Sequence, residues 1–293
     1  MSKITTLRGM NDLPPEEVRV WNLAEEAIQK VFNSYGYEEI RFPIVEKTEL
    51  FTRSNESADV VTKEMYTFED KGGDSISLRP EGTAGCVRAA IDNDLIRVDS
   101  PRLWYQGPMF RYERPQKGRS RQFQQSSAEA FGIRSAEIDA ELIILSSRIW
   151  KELGVEKKLN LEINNLGDEK TRNSYAKSLQ DYFKNFKKDL DEDSIRKLDD
   201  NPLRILDSKS ESVQGLLKDA PDISDFISKE SKKEFKELTL LLKSAGIEFT
   251  INQRLVRGLD YYNQTVYEWK TDDLGAQDTV CGGGRYDNLV EEL

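Results

Sequence analysis

Met109-Phe110-Arg111-Tyr112-Glu113-Arg114-Pro115 and, far downstream, Leu255-Val256-Arg257-Gly258-Leu259-Asp260-Tyr261-Tyr262 decide the reading of this 293-residue chain. Each run sets an arginine beside carboxylates and aromatics. A guanidinium stays charged and grips phosphate or carboxylate in two places at once, so both runs suit a site that holds a polyphosphate together with a small polar molecule. A third run, Cys281-Gly282-Gly283-Gly284-Arg285-Tyr286-Asp287, follows the second.

Working outward, the composition narrows the class. The chain is long enough for one large domain or two smaller ones, with a core that buries most of its apolar surface. Acidic side chains number 53 against 43 basic ones, and the net charge of -10 excludes a generally basic surface for nucleic acid. Any RNA contact must come from a local patch. No run of 18 apolar residues exists, and Met1-Ser2-Lys3-Ile4-Thr5-Thr6 lacks the apolar stretch of a signal peptide. A soluble, cytoplasmic protein with no membrane partner is therefore expected. Cys86 and Cys281 stand far apart without metal-ligand spacing, which points to small core residues rather than a disulfide or zinc site. Histidine is absent altogether, which removes imidazole from any mechanism.

The pattern around the runs alternates helices and short strands. After Pro14-Pro15, the residues Val18, Trp21, Ala24, Ala27, Ile28, Val31 and Phe32 recur at helical spacing up to Gly36, predicting an amphipathic helix on a core. Tyr37 to Val45 alternates like a strand, with Pro43 suiting an edge or the end of pairing. Ser75-Ile76-Ser77-Leu78 reads as a strand running into Arg79-Pro80-Glu81-Gly82-Thr83 and a helix over 84–91, a junction where site residues gather. A further helix is expected over 138–153, ended by Gly154, then a strand over 159–163. From about Asp168 to Ala245 the chain turns charged and helical, and strands return at 248–252 and 265–269.

The first run resembles motif 2 of the class II aminoacyl-tRNA synthetases, and the second and third resemble the two signature peptides of the histidyl-tRNA synthetase family. All three occur in order. The resemblance implies an α/β catalytic core built on a mainly antiparallel sheet flanked by helices. It divides the chain into a core with motifs 1 and 2 over 1–167, a helical insertion over 168–245 that leans toward the tRNA acceptor arm, and a return to the core over 246–293. Helix 18–32 and the strand after it would form motif 1 and a homodimer interface.

The implied activity is ATP-dependent activation of histidine to its adenylate and transfer to tRNA(His). Negative charge then gathers on phosphate oxygens in the transition state, and positioned cations do most of the work. By resemblance, Arg111 contacts the α-phosphate, and Arg257 stabilises it together with the substrate carboxylate. The structural alternative for each is an ion pair, with Glu113 or Asp260 respectively. Glu113 falls near the adenine amino group, Phe123 stacks on the ring, and Arg119 also belongs to the ATP site. Magnesium is expected with the nucleotide phosphates, and no protein side chain is assigned to it. Glu81, Thr83 and Gln125 match positions around the histidine ammonium, and Glu129, Tyr262 and Tyr286 match those near the imidazole. A buried glutamate facing a ring N–H rejects apolar competitors, which would leave it unpaired. Arg114, Lys117, Arg119 and Arg121 form a basic, flexible loop suited to the tRNA acceptor end, with contact to ATP alone as the alternative.

Motif 3 should follow Asp287-Asn288-Leu289-Val290 and does not, so a chain cut short before motif 3 and the anticodon-binding domain is expected. Loss of its phosphate-clamping arginine would cost on the order of 10³-fold. Gln124 stands where the family usually has histidine, Ser120 where an aromatic is common, and the 53–61 stretch is one residue shorter than the family's loop. The absence of histidine reads either as chance or replacement, or as an advantage when histidine is scarce. Two rivals stand beside the enzyme reading: a histidine-sensing paralog of the kind that regulates ATP phosphoribosyltransferase, and an inactive fragment.

Overall fold

Pro15 opens the first long helix, where its missing N–H has no intrahelical partner to lose. In the computed structural model, which describes residues 3–98, 100–275 and 278–293, helix α1 runs Pro15–Ser34 with Glu16 and Glu17 at its positive end. Gly36, at φ +75°, takes the chain out of it. Burial along α1 departs from the spacing. Val31 and Phe32 are fully buried, whereas Trp21 is 38% exposed and its neighbours Val20 and Leu23 are 67% and 68% exposed. Only the last turns of α1 reach the core formed by Trp104, Leu145 and Ile149.

The chain divides into two compact units. The first comprises Met1–Leu159, Thr271–Asp278 and Asn288–Leu293. After α1 it contains β1 (Glu38–Glu39), β2 (Val45–Lys47), α2 (Thr48–Ser54), α3 (Asp59–Thr62), β3 (Tyr66–Glu69), β4 (Ser75–Leu78), α4 (Thr83–Asp92), α5 (Leu95–Val98), β5 (Arg102–Phe110), β6 (Gln122–Ala130) and α6 (Ala136–Glu152). Its sheets run in the orders β1-β5-β6 and β2-β4-β3. The β5–β6 pair is antiparallel from Arg102 opposite Ala130 to Phe110 opposite Gln122. Residues opposite one another share a face, so Tyr105, Gly107 and Met109 lie with Ser127, Gln125 and Phe123.

The second unit comprises Asn160–Lys270 and Thr279–Asp287. It holds β7 (Asn160–Asn165), α7 (Glu169–Lys184), α8 (Glu192–Asp200), α9 (Glu211–Leu217), α10 (Lys229–Ser244), β8 (Thr250–Ile251), β9 (Asn263–Lys270) and β10 (Thr279–Arg285), with the sheet ordered β10-β9-β7-β8. β9 is antiparallel to both neighbours, and β8 is parallel to β7. Asp168, Asp191 and Ser228 accept hydrogen bonds from the amides of Thr171, Ser194 and Ser231, which starts α7, α8 and α10 at about 1 kcal/mol each. α11 (Leu289–Glu292) belongs to the first unit, where Leu289 is buried and Leu293 packs on Leu50, Phe51 and Ala84.

Two expectations change. The strand expected over 37–45 is two short ones in different sheets. The Ile40 amide donates to Trp104 beside β5, whereas the Ile44 carbonyl accepts from Arg79 beside β4. Pro43 has no N–H to continue either ladder. The strand expected over 248–252 shrinks to Thr250–Ile251, because the Asn252 side chain accepts from the Arg254 amide and turns the chain. The strands form three sheets, and their pairing is mainly antiparallel as expected, the parallel pairs being β1–β5 and β7–β8. Among the described residues no helix is long and apolar enough to cross a membrane.

Candidate functional site

In the first unit the chemistry gathers at the start of α4 and along β5–β6. The Glu81 carboxylate accepts from the amides of Thr83 (2.6 Å) and Ala84 (3.0 Å), a charged cap on the positive end of α4. The Thr83 hydroxyl donates to Glu129 Oε1 (2.9 Å), and the Tyr105 hydroxyl donates to the same oxygen (3.0 Å). All four side chains are buried. Burial, then the charges of Glu129 and Glu81, push the Tyr105 phenol well above its usual range, so it stays a donor. Gly82 has a steric reason: a Cβ there would fall 2.2 Å from the Tyr105 ring. The Gln125 amide donates to the Ser127 hydroxyl. Gln124 lies opposite Pro108, on the other face of the hairpin.

Arg111 extends the β5 ladder, its amide donating to the Arg121 carbonyl. Its guanidinium donates to the Pro80 carbonyl (2.8 Å), lies 5.2 Å from the Phe123 ring centre and stands 3.9 Å from Glu113. Glu113 is buried and ion-paired with Arg119. Glu64 completes this charged group. Burial and then Glu113 raise its carboxyl above the ordinary range, against the pull of Arg111 and Arg119.

The basic loop makes contacts along its length. Lys117 donates to the Asp273 carbonyl, Gly118 approaches Leu274, Arg119 holds Glu113, and Arg121 lies 3.8 Å over the Tyr112 ring while donating to the Glu113 carbonyl. The Arg121 and Gln122 amides both donate to the Gly9 carbonyl. Arg114 is exposed.

In the second unit Arg257 is half-buried on an irregular loop before β9. It pairs with Glu268 and lies 5.6 Å from the Tyr262 ring centre. Burial works against its charge, but Tyr262 and Glu268 outweigh that and hold it above its usual value. A Cβ at Gly282 would meet the guanidinium at 2.4 Å, so that glycine opens the space Arg257 fills. Tyr261 stacks tilted on Tyr262 (4.7 Å between centres) and meets Tyr286 edge-on (5.8 Å). Asp260 is not the partner of Arg257. Its carboxylate is taken by Arg204 (2.8 Å) and Asn201 (3.0 Å). Cys281 beside Arg257 has its thiol pushed up to about 12 by burial, and Cys86 is fully buried with its thiol raised by the same cause.

Among the described residues no group of three or more histidine, cysteine, aspartate or glutamate side chains could hold a metal ion. A magnesium ion entering with nucleotide would take its oxygens mainly from phosphate and water, as that ion ordinarily does.

The family model for histidyl-tRNA synthetase matches residues 9–293. The chain belongs to the histidyl-tRNA synthetase family. A relative named histidine–tRNA ligase, from Marinomonas sp. (strain MWYL1), is 56% identical over 292 residues, covering 99% of this chain and 69% of its own length. The crystal structure of the apo S. aureus histidyl-tRNA synthetase superposes with a TM-score of 0.78 at 37% identity, over 99% of this chain and 68% of that one. An ATP phosphoribosyltransferase regulatory subunit/histidyl-tRNA synthetase from Bacillus halodurans C shares the fold, with a TM-score of 0.73 at 22% identity over 100% of this chain and 79% of that one. The fold is thus the class II synthetase catalytic fold, and this member of the histidyl-tRNA synthetase family is an aminoacyl-tRNA synthetase by class.

Several residues around these family motifs escape a reading of the sequence. Tyr105 sits in an apolar strand and looks like core until its hydroxyl is seen on Glu129. Glu268 had a signal, a lone carboxylate between Tyr267 and Trp269 in a strand of buried residues. Arg172, Asn201 and Arg204 had none, since they lie 54 to 90 residues from the loop that they touch.

Proposed function

We propose that this chain activates histidine with ATP, forming histidyl-adenylate and pyrophosphate, and transfers the histidyl group to tRNA(His). The observation that carries this reading is the 56% identity to a histidine–tRNA ligase over 99% of the chain, which spans every residue assigned above. The geometry adds to it. Arg111 meets the α-phosphate and Phe123 takes the adenine face, with Glu113 at the adenine amino group and Arg119 beside it. Arg257 steadies the same phosphate and the histidine carboxylate. Glu81, Thr83 and Gln125 receive the ammonium. Glu129, its orientation fixed by Tyr105 and Thr83, accepts from the imidazole, and Tyr262 and Tyr286 are assigned to the same ring by their family positions. Magnesium neutralises the phosphates when bound.

The remaining readings follow from the same source. The acceptor end of the tRNA tracks Arg114, Lys117, Arg119 and Arg121, and the helical stretch 168–245 acts as an insertion between catalytic segments 1–167 and 246–293. A homodimer is supported by the apolar face left open at Val20, Trp21 and Leu23 of α1. A cytoplasmic location accords with work in translation.

Histidine-dependent ATP–pyrophosphate exchange on the purified chain tests this, with Arg257→Ala as control. Exchange that needs histidine and vanishes in the control is expected. Histidine binding without exchange would replace the ligase reading with a sensor.

A further inference from the structure

The segment between β8 and β9 carries Arg257 and Tyr262 yet has no regular hydrogen-bond ladder. Its shape is set by side chains reaching in from the helical stretch. Arg204, buried in the turn of 3-10 helix Pro202–Asp207, sends Nε (3.2 Å) and Nη2 (2.8 Å) to Asp260 Oδ1, and Nη2 also to the Gly258 carbonyl (3.0 Å). Arg172 of α7 sends Nη1 to the carbonyls of Asp260 (3.2 Å) and Tyr262 (2.8 Å). Asn201 adds a bond to the Asp260 carboxylate (3.0 Å). Two guanidiniums therefore occupy alternate carbonyls, 258, 260 and 262, along the stretch that follows Arg257. A planar fork with fixed donor directions suits this, and a lysine ammonium does not reproduce it.

We infer that Arg204 and Arg172 are positioning residues for the Arg257–Tyr262 loop, so that the helical stretch sets the aim of the arginine and tyrosine used for histidine. The inference rests on the function proposed above. A misplacement of about 1 Å at a reacting group costs on the order of 10²-fold in rate, which is the scale expected on losing the clamp.

The test uses Arg204→Ala, Arg204→Lys and Asp260→Asn in the full chain. Hydrogen–deuterium exchange reads the amides of 255–264, and steady-state pyrophosphate exchange reads KM and kcat. For Arg204→Ala we expect faster deuteration confined to 255–264, a higher KM for histidine, kcat lower on the order of 10²-fold, and a smaller change in KM for ATP, whose phosphate Arg111 still holds. A merely structural loss would lower kcat through the active fraction alone. Arg204→Lys restores charge without the fork and recovers only part of the rate. Unaltered deuteration of 255–264 in folded Arg204→Ala, or a loosened loop with parent kinetics, would overturn the inference. Should Arg204→Ala fail to fold, Asp260→Asn removes the anionic partner at constant shape and is read in the same way. A parent protein with no histidine-dependent exchange would sink the proposed function, and the deuteration then decides the clamp by itself.

Discussion

Arg111 and Arg257 carry the same charge and are held in opposite ways. Arg111 continues a strand, and its surroundings come from hairpin register and from the turn after β4: Phe123 and Arg121 approach because β5 pairs with β6, and the Pro80 carbonyl because the Phe110 amide donates to the Arg79 carbonyl. Arg257 has no ladder beneath it. It is fixed by a carboxylate from β9, and its loop by two guanidiniums from the helical stretch. The difference teaches that a register-held group depends on its strand, whereas a loop-held group depends on each of its partners.

The largest expected effect sets the two against each other directly. Arg111→Ala and Arg257→Ala should each lower kcat for adenylate formation by about 10²–10³-fold, the scale for removing one group that stabilises transition-state charge. Their stabilities should part. Arg257→Ala takes from Glu268, whose side chain is 13% exposed, its closest cation, leaving Lys270 at 3.5 Å and the Thr279 hydroxyl at 2.9 Å, and should cost roughly 2 kcal/mol. Arg111→Ala gives up the 3.9 Å contact with Glu113, the bond to the Pro80 carbonyl and the approach to Phe123, but leaves Glu113 paired with Arg119, and should cost about 1 kcal/mol. Denaturant melts of both variants check this, and equal losses would end the comparison.

Two glycines sharpen it. At Gly82 an added Cβ meets the rigid, buried Tyr105 ring, so Gly82→Ala should destabilise the fold by about 2 kcal/mol. At Gly282 the same Cβ meets the far end of a long side chain, the Arg257 guanidinium, which can swing aside. Gly282→Ala should therefore keep its melting midpoint and lose about tenfold or more in kcat through misaimed Arg257. A stable Gly82→Ala or a fully active Gly282→Ala would contradict these close approaches.

The smallest effect concerns Glu64, in the Arg111 group. Burial and Glu113 raise its carboxyl, so the folded state keeps its proton to higher pH than the unfolded chain does. The stability tied to that proton is complete below the unfolded-state value and is lost as pH rises through the folded-state value. Glu64→Gln cannot suffer this loss. It should be more stable than the parent at neutral pH, by less than about 1 kcal/mol after solvent screening, with the gap closing in acid. Melts from pH 4 to 8 read the result, and a gap that widens in acid would reverse the sign.

The same contrast explains what could be read from the residues. Strand β4, helix α4 and helix α6 announce themselves through local periodicity and stop signals, and so does the position of Glu81 at a strand-to-helix junction. Motif spacing supplied Arg111 and Arg257. The partner of Asp260 could not be had that way, because nearness in sequence favours Arg257 while folding brings up Arg204, 56 residues away. The break at Pro43 was visible as a proline but not as a change of sheet, since only the far strands β5 and β4 decide where each half pairs.

The chain's two cysteines fall one to each unit, Cys86 in the first and Cys281 in the second. Alkylating reagents attack the thiolate, and both thiols are raised, Cys86 fully buried and Cys281 partly exposed, so both stay protonated at neutral pH. Timed labelling with iodoacetamide, followed by peptide mapping, would thus make Cys86 an internal clock for the opening of its own unit, with the partly exposed Cys281 as the faster reference and no added probe.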